Sequence, residues 1–327
     1  MNVMRAAVCE AYGPPETLRI VERTVPTPRP GEVLIKIAYA AVNFPDLLLI
    51  ENKYQVHIPT PFTPGSEFSG HVAALGEGVT TFVVGDAVFG SGFHGGFASH
   101  ISIPSSPSLR PVPDGVGLDV AAASWIGHAT AYHALRSVAD VQPGESVVVL
   151  GAAGGVGLAA VQIATLLGAR VIAVASSDAK LDRCRAEGAV QTVNYATADV
   201  RDALKAIEPG GVDVVIDPVG GPFAERAVRA TRWGGRFVTV GFASGEIPRI
   251  PLNLVLLKGV IIKGFEIRTF SEFAPDLARR DEAELLGHLS SGRLVPHISS
   301  VHPLDDIAVA LQEVATRRAT GKVLIRP

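Results

Sequence analysis

The stretch Ser146–Ser177, SVVVLGAAGGVGLAAVQIATLLGARVIAVASS, constrains the fold more than any other part of the chain. A β-branched run, Val147–Leu150, leads into glycines at 151, 154, 155 and 157. An apolar segment with helical spacing follows, and then a second β-branched run, Val171–Val174. Strand, glycine turn, helix and strand, in that order, make the βαβ unit that holds a dinucleotide. Side chains at the turn would keep a pyrophosphate away from the backbone N–H groups and the positive helix N-terminus. Ser146–Ala169 carries no charge, so hydropathy alone would also allow a membrane span. Its strand-like start, its glycines and Gln162 fit a fully buried parallel strand with its helix instead.

The end of the second strand refines the ligand. An NAD site places Asp or Glu there to hold the ribose hydroxyls. This chain has Ser176 and Ser177, with Lys180 close behind. With no carboxylate to repel it, a 2′-phosphate can be held by a hydroxyl and an ammonium. The residues therefore favour NADPH over NADH. The competing view of Lys180 is a solvated helix residue.

A chain of 327 residues accommodates two domains with cores of their own. Apolar residues make up 47% and charged residues 19%, which excludes a disordered chain. A net charge of −3 gives no sign of a nucleic-acid partner. Cys9 and Cys184 cannot form a disulfide framework. The start, MNVMRAAVCEAYG, lacks a signal-type apolar segment, and a cytoplasmic protein without membrane attachment is expected.

Residues 1–120 read as mostly β, with short runs at Arg5–Cys9, Leu18–Val25, Glu32–Ala41, Phe68–Leu75, Ala87–Phe89 and Phe97–Ile103. Asp119–Arg136 changes to helical spacing, with Asp119 as the expected cap and Gly127 as an interruption. Beyond Val174 the α/β alternation continues. Helices are expected over Ala179–Glu187, Val200–Ile207 and Pro222–Thr231. Strands are expected over Gln191–Tyr195, Val212–Ile216, Arg236–Val240 and Val260–Lys263, with a turn at Gly234-Gly235. Such repeats imply a doubly wound parallel sheet. The tail reads as a helix over 275–291, a strand, a helix over 304–316 and a last strand, Lys322–Ile325.

These residues resemble a family. AAGGVGLAAVQIA at 152–164, Gly65-Ser66-Glu67 within TPGSEFSGHVAALGEGV, DPVGG at 217–221 and ATGKVLI at 319–325 are similar to the zinc-free, ζ-crystallin-like NADPH:quinone oxidoreductases among the medium-chain dehydrogenases/reductases. The resemblance implies an α/β fold in which a doubly wound Rossmann sheet accompanies a β-rich, GroES-like catalytic domain. It implies a GroES-like part over 1–122 and 265–327 and a Rossmann part over 123–264. Zinc-dependent members need a Cys, a His and a further Cys or acidic ligand. The position resembling their first Cys is Asn43, and their Gly-His-Glu is Gly65-Ser66-Glu67. No metal is expected.

Without a metal, an acceptor that takes hydride at carbon and charge at oxygen is the easier substrate. Such a site needs a hydrogen-bond donor near that oxygen and a proton source. The resemblance puts Asn43 and Tyr54 beside the nicotinamide: Asn43 can donate an amide hydrogen bond, and Tyr54 can donate a proton or simply hydrogen-bond the carbonyl, with a packed or rim aromatic as the competing view of Tyr54. Related reductases carry another Tyr between them, where this chain has Leu48. The resemblance also implies Thr130 near the carboxamide and Gly154, Gly155 and Val156 at the pyrophosphate. It implies Ser176, Lys180 and Tyr195 at the 2′-phosphate, and Gly241 and Phe242 near the nicotinamide ribose. Reduction of quinones or related α,β-unsaturated carbonyls is the leading expectation. Enoyl-thioester or 2-alkenal reduction is the enzymatic alternative, and a non-catalytic NADPH-binding protein the alternative of another class. A homodimer is expected, with Val260–Lys263 as a pairing edge strand flanked by Lys258 and Lys263.

Overall fold

The β-branched runs become strands buried on both faces, as parallel sheets between helices require. A computed structural model describes residues 3–327 and divides the chain into two units. One runs up to Ile126 and resumes over Val295–Pro327; the other is Gly127–Leu294.

In the second unit six strands lie side by side in the order Gln191–Asn194, Arg170–Ala175, Ser146–Leu150, Val212–Asp217, Thr231–Thr239 and Ile261–Gly264. Every pairing is parallel. The chain reverses direction of progress across the sheet between Ser146–Leu150 and Val212–Asp217. A doubly wound sheet binds its ligand beyond the carboxyl ends of such a pair. All five residues of Ser146–Leu150 are buried, so the uncharged stretch is core and not a membrane span. Among the described residues no helix is long and apolar enough to cross a membrane.

In the first unit Ile298–Pro303, Lys322–Arg326, Glu32–Val42, Glu67–Leu75, Ala87–Ser91 and Leu109–Pro111 form one sheet, with His100–Pro104 also paired to Glu32–Val42. Val3–Val8 and Arg19–Thr24 form a separate antiparallel pair. The C-terminal strand pairs antiparallel with Val42–Ala40. That register brings Lys322 to the end of the long strand, beside Asn43.

The two compact units divide at 126/127 and 294/295; the resemblance implied domains that divide at 122/123 and 264/265. Residues 265–294 stay with the nucleotide unit because buried polar bonds tie them there. Asp281 accepts from Ser137 at 2.5 Å and lies 3.0 Å from His133 Nδ1. Glu284 accepts from the Tyr132 hydroxyl at 2.8 Å and from Arg136 at 3.1 Å. Phe270 stacks obliquely on His133, with ring centroids 4.9 Å apart.

The helical stretch expected over Asp119–Arg136 breaks at Ser124-Trp125, not at Gly127. It becomes Leu118–Ala123, Ile126–His133 and a wider π-turn over Ala134–Val138. Gly234-Gly235 falls where the pairing with Val212–Asp217 is interrupted, between Thr231 and Arg236. Gly234 has φ +71° and sits as an irregularity within Thr231–Thr239. Helices Phe44–Ile50, Leu252–Lys258 and Ile267–Phe273 had no counterpart in the sequence reading.

Candidate active site

In the first unit five polar side chains converge under the surface. Asn43, Asp46, Ser66, Glu67 and Lys322 are all buried, with Asp46 and Glu67 at 0% exposure. Asn43 follows the long strand and precedes helix Phe44–Ile50. Pro45 stands in the first turn, where a missing N–H costs nothing. Asp46 is the third residue of that helix, and its Oδ2 accepts the Asn43 backbone N–H at 2.8 Å. This closes one side of a capping box.

Glu67 uses both oxygens. Oε1 accepts the backbone N–H groups of Trp125 at 2.6 Å and Ile126 at 2.8 Å. These are orphan donors at the start of helix Ile126–His133, where negative charge is favoured. Oε2 accepts from Lys322 Nζ at 2.8 Å and Asn43 Nδ2 at 3.1 Å. Lys322 Nζ also donates to Asn43 Oδ1 at 2.7 Å. Asn43 Nδ2 has longer contacts to Ala41 O at 3.3 Å and Ser66 Oγ at 3.4 Å. Both ends of the amide thus point into the unit. Donation to an acceptor requires one of the two longer contacts to give way.

Asp46 differs from Glu67. Its Oδ1 is buried with no hydrogen-bond partner. Burial pushes its carboxyl up to about 7, against the pull of the Asn43 N–H, the Ser66 hydroxyl and the Lys322 ammonium. Tyr54 lies in the turn after the helix, half-buried against the core that holds Leu47 and Ile50.

The second unit carries the residues expected at the nucleotide. Helix Gly155–Leu166 starts directly behind the glycine turn. Gly155 and Val156 sit in its first turn, whose N–H groups have no acceptor within the helix. Gly154 precedes that turn, and its own N–H is already bonded to Gly151 O at 3.0 Å. A Cβ on Gly157 would come within 2.2 Å of Gly151 O, so only glycine lets the helix pack on the turn. Thr130 is buried in helix Ile126–His133. Lys180 Nζ donates to Ser176 Oγ at 3.2 Å, which brings the two residues together at the end of Arg170–Ala175. Tyr195 follows the neighbouring strand and packs on Phe223, with ring centroids 4.5 Å apart. Gly241 and the exposed Phe242 follow Thr231–Thr239.

The sequence reading missed two groups. Asp217 ends the central strand and accepts the N–H groups of Val219 and Gly220 through Oδ1. Its Oδ2 is buried without a partner, and burial raises its carboxyl above the ordinary range. DPVGG was visible as a motif, but nothing in it announced an unpaired oxygen. Lys322 was read only as a strand residue. Open first-turn N–H groups, the Lys180–Ser176 pair and the room secured by Gly157 fit a phosphorylated dinucleotide.

Two family models match the chain: "Alcohol dehydrogenase GroES-like domain" over residues 29–114 and "Zinc-binding dehydrogenase" over 155–281. Quinone oxidoreductase-like protein 2 of Bos taurus is 39% identical, over 98% of this chain and 92% of that protein. The quinone oxidoreductase of Homo sapiens is 30% identical, over 99% and 98%. The Escherichia coli quinone oxidoreductase, solved in complex with NADPH, matches with a TM-score of 0.91 at 27% identity, over 99% of this chain and 100% of that one. A mycobacterial protein solved with NADPH matches at 0.90 and 31%, with the same coverage.

The buried Asp46 sets a pH dependence. Folding raises its pKa from 3.8 to about 7, so between those values the folded chain holds more protons than the unfolded one. Its favourable share of stability is complete below pH 4 and is lost as pH rises towards 7. Asp46→Asn keeps an acceptor for the Asn43 N–H but cannot ionise. We expect its melting temperature to gain on that of the wild type from pH 4 to pH 8, by at least about 3 °C, in thermal unfolding followed by circular dichroism.

Proposed function

The chain belongs to the quinone oxidoreductase group of dehydrogenases, and on that premise we propose that it reduces quinones or related electrophilic enones with NADPH and without a metal ion. The observation that carries this reading is the buried Asn43–Glu67–Lys322 cluster. With Ser66 beside it, the cluster presents an amide, a hydroxyl and an ammonium at positions where a metal-dependent reductase needs soft or imidazole donors. Such a site cannot polarise an alcohol as a Lewis acid does, but it can orient an already activated acceptor.

Bound NADPH supplies the hydride. In our reading Gly155 and Val156 hold the pyrophosphate through backbone N–H groups, with Gly154 shaping the turn. Ser176 and Lys180 hold the 2′-phosphate, and Tyr195 flanks the adenosine. Thr130 meets the carboxamide, and Gly241 and Phe242 border the nicotinamide ribose. Asn43 and Tyr54 orient the acceptor, with the Tyr54 hydroxyl donating to its oxygen. The two free, buried cysteines suit a reducing compartment, in keeping with a cytoplasmic enzyme.

We also assign a homodimer. Ile261 and Ile262 are 46% and 39% exposed on the last strand of the six-stranded sheet, and Leu252, Leu256 and Leu257 stand exposed on the preceding helix. An open apolar edge of this kind invites a second copy. Lys263 does not guard it: its Nζ turns back to Val138 O at 2.6 Å.

Oxidation of NADPH and NADH against 1,4-benzoquinone, 9,10-phenanthrenequinone, crotonyl-CoA and a 2-alkenal, with EDTA present, tests the activity. NADPH-selective turnover of the quinones is the expected result. Turnover of crotonyl-CoA or the alkenal alone would move the chain to thioester or alkenal reduction, and silence with NADPH bound would favour a non-catalytic role. Lys180→Ala should raise the KM for NADPH about tenfold, a loss of ~1.4 kcal/mol, and leave that for NADH unchanged. Ile262→Pro should give a monomer in light scattering, and an unchanged dimer would remove the edge-strand assignment.

A further inference from the structure

One of the two matching family models carries zinc in its name, and the residues of this chain do not fit that ion. Tetrahedral zinc takes thiolate, imidazole or carboxylate donors. Among the described residues no group of three or more His, Cys, Asp or Glu side chains could hold a metal. Asn43 and Ser66 stand at the positions that resemble zinc ligands. Beside them Glu67 has committed Oε1 to Trp125 and Ile126 and Oε2 to Asn43 and Lys322.

The decisive feature is a positive charge already in place. Lys322 Nζ lies 2.7 Å from Asn43 Oδ1 and 2.8 Å from Glu67 Oε2. A divalent ion on the same two oxygens would meet the ammonium head-on, in surroundings where like charges repel strongly. Lys322 is 3% exposed, so its charge has no ready way out to water. The ammonium also fixes the amide of Asn43. It can only donate, so it selects Oδ1, and Glu67 can then only accept from Nδ2. Bonding of Oδ1 to a cation polarises the amide and makes its N–H groups better donors.

We propose that Lys322 is a positioning residue that stands in for a metal ion: it keeps divalent cations out of the Asn43–Ser66–Glu67 cluster and holds the Asn43 amide in its working orientation. The proposal rests on the metal-free reading given above, but its main test needs no acceptor. Asn43→Cys with Ser66→His restores zinc-type donors beside an intact Lys322. Adding Lys322→Met removes the ammonium. Cobalt(II) is the probe, read by cobalt–thiolate absorption and by metal content after gel filtration, with circular dichroism as the check on folding.

The double variant should take up less than a tenth of an equivalent of cobalt, and the triple variant about one. Equal uptake by both, or by neither, overturns the proposal. Should the triple variant not fold, Lys322→Gln replaces Lys322→Met, since it keeps a donor to Asn43 without the charge. Orientation is read separately in the otherwise unaltered chain. Lys322→Met should lower kcat for the quinone at least tenfold with the KM for NADPH unchanged, while Lys322→Arg restores kcat to within about threefold. An unchanged kcat in Lys322→Met would overturn the positioning role. A wild type inactive on every quinone would sink the functional reading alone, and the cobalt result would still decide on metal exclusion.

Discussion

The carboxylate of Glu67 is the junction on which the first unit depends. It is wholly buried and is met by donors from three distant segments: the start of helix Phe44–Ile50, the start of helix Ile126–His133 and the C-terminal strand. A buried carboxylate is tolerated only when its lone pairs are matched, and here each oxygen has two donors. The arrangement explains why the chain bends at Ser124-Trp125, since the helix must begin where its first N–H groups can reach Glu67. It also explains why the last strand returns to the first domain, because Lys322 completes the set. Removal of one partner from such a buried pair costs about 3–5 kcal/mol, because it strands the other charge without compensation.

The second unit solves a different problem by leaving groups unmatched. The N–H groups in the first turn of helix Gly155–Leu166 have no acceptor within the helix, and Asp217 Oδ2 is buried without one. These groups stand at the carboxyl ends of central strands, where doubly wound sheets take their ligands. Gly157 serves the same end sterically, because any side chain there would strike Gly151 O. In the first unit the carboxylate of Glu67 is matched by four donors, while Asp46 Oδ1 has none.

Local patterns in the sequence were sufficient for most of the second unit. Helix Val200–Ile207 and the strands around the glycine turn lie close to where their apolar spacing put them, because each is decided by neighbours in the chain. What escaped was decided at long range. Lys322 and Asn43 are 279 positions apart, and no local pattern marks a strand lysine as buried. Residues 265–294 carry ordinary amphipathic helices. Their place beside the nucleotide sheet is set by Asp281 and Glu284 meeting His133, Ser137, Tyr132 and Arg136, which are pairings no periodicity encodes. Helix Leu252–Lys258 was missed because Leu252, Leu256 and Leu257 face solvent and only Leu254 turns inward, against the rule that apolar residues are buried.

The same junction bears on how one fold serves with and without a metal. A metal ion is a compact positive charge that draws ligands from separate segments into one place. Lys322 performs that mechanical task here with a covalently tethered charge, between an amide and a carboxylate on different segments. On the proposed reading the cation at this point is an ammonium and not a divalent ion. An ammonium already hydrogen-bonded to Asn43 and Glu67 cannot accept an oxygen ligand as a Lewis acid would, so it offers no route to alcohol activation. On the proposed reading such a site favours a substrate that already carries its own electron sink, so the chemistry follows from the side chains at the site and not from the surrounding sheet.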